Sequence, residues 1–154
     1  MSDDKSPKLD DVLPLSAAGI AVHYLRPRSK APMADDWSSL PRMSPGELRK
    51  SYRKGLNFGI RLGQPSNVEG LFLHVIDMDV RDDQYTEEAK SRLSAILPES
   101  DRLPAVISGS GGESRHFYFF SSQAFASKKI AHSAHKWVDD EGKKHWAWEI
   151  ELFG

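Results

Sequence analysis

Leu71-Phe72-Leu73-His74-Val75-Ile76-Asp77-Met78-Asp79-Val80 is the most apolar stretch of the chain, and the fold turns on how it is read. A near-continuous aliphatic and β-branched run predicts a central strand, covered on both faces along its first half. Its second half changes character. Asp77 and Asp79 stand at i and i+2, so on a strand both carboxylates project to one face. Two carboxylates that close repel unless a cation neutralises both, and paired oxygen ligands of this kind suit Mg²⁺ or Mn²⁺. The alternative is a strand that has reached solvent, with the acids marking its rim.

Working toward the N-terminus, Asn57 to Leu62 reads as a strand, ended by Gly63-Gln64-Pro65-Ser66-Asn67. Ser44-Pro45-Gly46-Glu47 is a capping box with proline at the first helical position, which predicts a helix running to about Lys54. Arg26 to Pro45 is loop. Ile20 to Leu25 is a strand, preceded by a helix with Leu9, Val12, Leu13 and Ala17 at helical spacing and Gly19 as its cap. Toward the C-terminus, Tyr85 to Leu97 is an amphipathic helix. Leu103 to Ile107 and His116 to Phe120 are strands around a glycine-rich loop, and Trp146 to Phe153 is a last strand. Strands and helices mix without strict alternation, giving an α/β (α+β) domain on a mixed sheet. One domain over residues 8–154 is expected, after a disordered polar N-terminus at 1–7.

The 154 residues contain 39% hydrophobic and 28% charged side chains, the profile of an ordinary globular domain. The absence of cysteine excludes disulfides, zinc ribbons and thiol nucleophiles. No apolar run is long enough to span a bilayer and no signal sequence opens the chain, so no membrane partner and a cytoplasmic location are expected. Basic and acidic residues number 21 and 22. The basic ones cluster at Arg26-Arg28-Lys30, at Arg49 to Lys54, at Lys128 to Lys136 and at Lys143-Lys144-His145. Any polyanion would therefore meet a local basic surface, not a basic protein.

Ser108-Gly109-Ser110-Gly111-Gly112, followed by Ser114, Arg115 and His116, can expose backbone N–H groups to a phosphate beside a hydroxyl, a guanidinium and an imidazole. A plain hairpin turn needs glycines as well. Glu149 and Glu151 share a face of the last strand and flank apolar Ile150, as inward metal ligands or as residues of an exposed edge. His132 and His135 read as a basic helix end, and His74 as a buried, hydrogen-bonded histidine. Trp137, Trp146 and Trp148 read as packing residues, with base stacking as the other use of such side chains.

The ordered set of Gly19 through Lys30-Ala31-Pro32 to Trp37, then NFGIRLG, VIDMDV, SGSGGESRHFYF and IELFG, resembles the archaeo-eukaryotic primase superfamily. More narrowly, it is similar to the bifunctional primase–polymerase (Prim-Pol) domains of plasmids and phages, over about residues 15 to 154. The resemblance implies a primase–polymerase fold with an RRM-like mixed sheet and flanking helices. It implies template-dependent nucleotidyl transfer by a two-metal mechanism, as a DNA primase/polymerase, in replication of a plasmid, phage or other mobile element. Asp77 and Asp79 would hold two divalent ions, Mg²⁺ or Mn²⁺. Glu151 would complete the site, since Ile150-Glu151-Leu152 fits the third motif better than Trp148-Glu149-Ile150, with Glu149 as the alternative. Ser114 and His116 would contact the triphosphate, and Arg115, Arg61 and Lys30 would add phosphate contacts. The implied partners are a dNTP or NTP, a single-stranded DNA template and primer, and a helicase in the same polypeptide or a separate chain.

Two departures accompany it. Relatives continue past the third motif whereas this chain stops at Gly154, which reads as a C-terminal truncation, and it has no zinc module or Walker A motif. Other functions open to the same residues are a nuclease or sugar-nucleotide transferase using the DxD, and a module that binds nucleotide or nucleic acid without turnover.

Overall fold

A computed structural model describes residues 7–108 and 111–154. The expected disorder at the N-terminus, up to residue 6, and Gly109-Ser110 of the glycine-rich loop lie outside the described residues. The chain divides into two compact units, Met1–Leu73 and His74–Gly154, both mixing helix and strand. Among the described residues, no helix is long and apolar enough to cross a membrane.

In the first unit, α1 (Leu9–Ala18) closes at Gly19, whose φ of +116° lets Ile20 N–H reach the Leu15 carbonyl. A Cβ there would lie 2.0 Å from the Asn67 carbonyl oxygen, so the position requires glycine. β1 (Ala21–Leu25) pairs antiparallel with β2 (Asn57–Arg61), and Gly59 lies opposite His23. A side chain at Gly59 would meet the His23 imidazole at 2.8 Å. That imidazole stacks on Trp37, with ring centroids 5.2 Å apart.

The capping box forms as expected at the start of α2 (Pro45–Ser51): Glu47 N–H donates to Ser44 Oγ and Ser44 N–H to Glu47 Oε2. The helix stops earlier than the expected Lys54. Tyr52 turns extended, with ψ of 136°, and lays its ring parallel to Phe58. The expected loop after Gly63 is instead β3 (Gly63–Val68), which forms a hairpin with the first residues of β4 (Leu71–Val80). Glu69 and Gly70 both have positive φ, the geometry of a two-residue hairpin turn. A register shift falls across Pro65, which has no N–H to donate to the ladder.

The second unit is built on a sheet with strand order β5 (Ala105–Ile107), β6 (Arg115–Ser121), β4, β10 (Trp148–Phe153) and β7 (Lys128–His132). α3 (Thr86–Ile96), entered through a 3₁₀ turn at Asp83–Tyr85, packs Ala89 and Leu93 on one face of it. Those residues join Ile76, Met78 and Val80 of β4, Trp148 and Ile150 of β10, and Phe117 of β6 in one buried cluster. His74 is fully buried as expected, accepting from Phe125 N–H at Nε2 and stacked near Phe119.

The C-terminal strand is interrupted. Lys144–Trp146 (β9) pairs with Lys136–Val138 (β8) in a separate hairpin, and the chain enters β10 only after Ala147. The basic helix end expected around His132 and His135 is absent. β7 ends at His132, and the buried Ser133 hydroxyl accepts from Ala147 N–H at 2.9 Å and donates to His135 O at 2.6 Å. Those bonds fix the link between β7 and β8 as a tight turn.

Candidate active site

The register of β4 against β10 sets Asp77 directly opposite Glu151 and Asp79 directly opposite Glu149. Opposed residues of an antiparallel pair point to the same face, as do residues two apart on one strand. The four carboxylates therefore form a two-by-two patch on one face of the sheet, while Met78 and Ile150 between them point into the core. All four are partly buried, with side-chain exposures from 15% for Glu149 to 32% for Asp79.

Cations from the protein hold this patch together. Arg81 donates one nitrogen to Asp79 Oδ2 and another to Glu149 Oε2, both at 2.8 Å. Lys129 of β7 lies 3.5 Å from Glu149 and 3.6 Å from Glu151. His116 Nε2 lies 3.2 Å from Asp77 Oδ1. The consequences for protonation differ within the patch. Burial raises the Asp77 carboxyl above the ordinary aspartate value, His116 opposes this, and the charges of Asp79 and Glu151 add to it. Burial also pushes Glu149 upward, but the hydrogen bond and charge of Arg81, with Lys129, outweigh it and hold Glu149 below the ordinary range.

Ser114, immediately before β6, and His116, on β6, both reach the patch. The Ser114 hydroxyl is buried, donates to Asp79 Oδ1 at 3.0 Å and accepts from Val80 N–H at 2.9 Å. It positions Asp79 in this state. Arg115 points to the other face, where its guanidinium donates to the carbonyls of Gly112 and Ser114 and ties down the end of the glycine-rich loop. Gly111 and Gly112 both have positive φ, the conformation that requires glycine there. Lys30 and Arg61 belong to the first unit. Lys30 is exposed in the loop after β1, and Arg61 donates to the carbonyls of Ser38 and Leu40, anchoring the loop that carries Trp37.

Two residues to which the sequence assigns no part in the site, Arg81 and Lys129, are central to the geometry. The signal for Arg81 was present, because Asp77, Asp79 and Arg81 continue one alternation. Lys129 reaches the patch only through pairing of β7 with β10, which no local pattern reveals. His132 stacks on Trp146 and His135 on Tyr85.

A pair of divalent ions would take these carboxylate oxygens as its ligands. Among the described residues, no three acidic or histidine side chains already converge as a metal site. The chemistry of the donors nevertheless fits: four carboxylates share one face, and each has a protein cation or an imidazole within 3.6 Å. Such a patch demands positive charge, and oxygen-only ligands favour hard divalent cations.

No curated protein and no solved structure matches the chain. A family profile, Prim-Pol (bifunctional DNA primase/polymerase, N-terminal), matches residues 13–147. That span contains Lys30, Arg61, Asp77, Asp79, Ser114, Arg115 and His116 and stops just short of Glu149 and Glu151. With nearly the whole chain matched, this protein belongs to the bifunctional DNA primase/polymerase N-terminal family.

Proposed function

We propose that this protein is a nucleotidyltransferase that extends a DNA primer along a single-stranded template from dNTP or NTP, in replication of a plasmid, phage or other mobile element. The observation that carries the reading is the patch of Asp77, Asp79, Glu149 and Glu151 on one sheet face, inside a chain of this family. Asp77 and Asp79 would hold two divalent ions, Mg²⁺ or Mn²⁺. Glu151 is the third ligand, with Glu149 as the alternative. Glu151 stands opposite Asp77 and helps raise its proton affinity, whereas Glu149 is neutralised by Arg81 and Lys129. Divalent ions bound there would activate the attacking 3′ hydroxyl and offset charge on the leaving pyrophosphate.

The protein's own groups do the rest by positioning and charge. Ser114 fixes the Asp79 carboxylate through its buried hydroxyl. His116, Arg81 and Lys129, which pair with these carboxylates in the metal-free protein, would be the groups placed to donate to triphosphate oxygens. Arg115 ties down the Gly112 end of the glycine-rich loop. No covalent nucleophile is needed.

Extension of a labelled primer on a DNA template with Mg²⁺ or Mn²⁺, comparing wild type with Asp77→Ala, tests the reading. Metal-dependent extension lost in the variant supports it, and undiminished extension by the variant overturns it. A second reading is binding without turnover, favoured by the Arg81 bridge that already compensates Asp79 and Glu149. It predicts nucleotide binding with no extension by the wild type.

A further inference from the structure

Trp146 lies at the edge of the carboxylate patch, and the reaction described above gives it no role. His132 stacks on its indole with ring centroids 3.7 Å apart and planes 15° from parallel. The Lys136 ammonium sits 3.3 Å from the same ring centroid. Two groups that close cannot share one side of the ring, so they cover opposite faces, a cation–π contact on one and a π-stack on the other. Lys136 and Trp146 are directly paired across the β8–β9 hairpin, and Val138 and Lys144 are the next pair but one. All four side chains therefore share one hairpin face, on which no acidic residue stands. The acids lie elsewhere: Asp139 is bonded to His145 and to the backbone of its own turn, and Asp140 and Glu141 are at the tip.

This face is continuous with the carboxylate patch. His132 stands opposite Glu149 in the β7–β10 register and so projects on the carboxylate side. The Trp146 carbonyl accepts from Arg81, the residue that bridges Asp79 and Glu149. A polyanion following Lys144, Lys136 and Trp146 is led directly to the carboxylates.

We propose that the Lys136–Trp146–Lys144 face of the β8–β9 hairpin binds single-stranded DNA, with a base displacing the Lys136 ammonium from the Trp146 face it covers. His132 backs the indole and keeps it flat. Lys136, released, and Lys144 then meet flanking phosphates. Aromatic platforms with adjacent cations are how sequence-tolerant single-strand binding is built. The proposal rests on the polymerase reading for the identity of the polyanion and adds the surface that holds it.

The test is fluorescence anisotropy of a labelled oligo(dT) with the full chain, run without metal or nucleotide so that it is independent of catalysis. Trp146→Ala is expected to weaken binding on the order of tenfold, with Trp146→Phe restoring most of it. Lys136→Ala combined with Lys144→Ala is expected to lower the slope of log affinity against log salt by about 1.4. Trp137→Ala, on the other hairpin face, serves as the control that stays near wild type. Circular dichroism checks each fold, and the lysine pair decides the matter if Trp146→Ala unfolds the hairpin. Wild-type affinity and salt slope in the lysine pair overturn the proposal, as does a wild-type protein that extends primers yet shows no dependence on these residues. A protein that neither extends primers nor binds the oligonucleotide overturns both readings, and a hairpin face that binds another protein chain in place of DNA overturns this one alone.

Discussion

The two faces of the β4–β10 ribbon are made by alternate residues of the same ten-residue and six-residue strands, yet they are governed by different physics. On one face Ile76, Met78, Val80, Trp148 and Ile150 bury hydrocarbon against α3, and Ile150 and Met78 are almost wholly excluded from water. On the other, Asp77, Asp79, Glu149 and Glu151 crowd negative charge that Arg81, Lys129 and His116 only partly balance. Hydrocarbon burial is non-directional and supplies stability. The charged face costs stability, since it gathers like charges where desolvation makes them expensive. The apolar face thus supports a charged face that would not hold its geometry alone.

The largest expected effect breaks the charged face. Asp79→Ala removes a carboxylate that Ser114 and Arg81 hold in place, and primer extension is expected to fall at least about a thousandfold, since several kcal/mol of charge stabilisation is lost. The fold should survive, because the core lies on the other side. A variant with normal extension would show that the patch is not catalytic. The opposite break is Ile150→Ala, expected to cost about 2–5 kcal/mol and to lower the melting temperature by roughly 10 °C. Whatever fraction stays folded should keep its metal dependence. Loss of metal dependence in folded Ile150→Ala would mean that the two faces are not separable.

The apolar face was far more legible in the sequence than the charged one. Leu71–Val80 forms a strand over the expected residues because β-branched and aliphatic side chains fill it without interruption. The α2 start was legible because both halves of its capping box are local. Its end was not, since Tyr52 leaves the helix to stack on a ring in β2. Residues 128–138 show no clear alternation, and β7 exists because β10 offers a partner about twenty residues further along the chain. In the site, the shared face of Asp77 and Asp79 followed from spacing alone. Which glutamate opposes which aspartate depended on register, a non-local property.

Arg81→Ala sharpens the comparison by removing charge compensation while leaving all four carboxylates. Asp79 and Glu149 then repel across the ribbon, and the metal-free protein should melt a few degrees lower, about 1 kcal/mol for a partly buried pair. Removing a competing cation should also tighten Mn²⁺ binding several-fold by calorimetry. Added Mn²⁺ should therefore raise the melting temperature more in the variant than in wild type. Unchanged or weaker Mn²⁺ binding would mean that Arg81 does not occupy space a divalent ion needs.

The smallest effect separates two members of the charged face by sign. Asp77 binds its proton more tightly in the folded protein, chiefly through burial. As pH rises from the ordinary aspartate value to this raised one, the unfolded chain ionises first and stability falls. Glu149 is the reverse, because Arg81 and Lys129 outweigh its burial. Its contribution is present above the ordinary glutamate value and is lost as pH falls through the depressed one. At neutral pH, Asp77→Asn should thus be more stable than wild type and Glu149→Gln less stable, each by about 1 kcal/mol or less given their partial exposure. Both differences should shrink in acid, measured as urea midpoints from pH 7 down to pH 3. Two differences of the same sign would mean that Arg81 does not distinguish the two acids, and that the patch is compensated as a whole and not pair by pair.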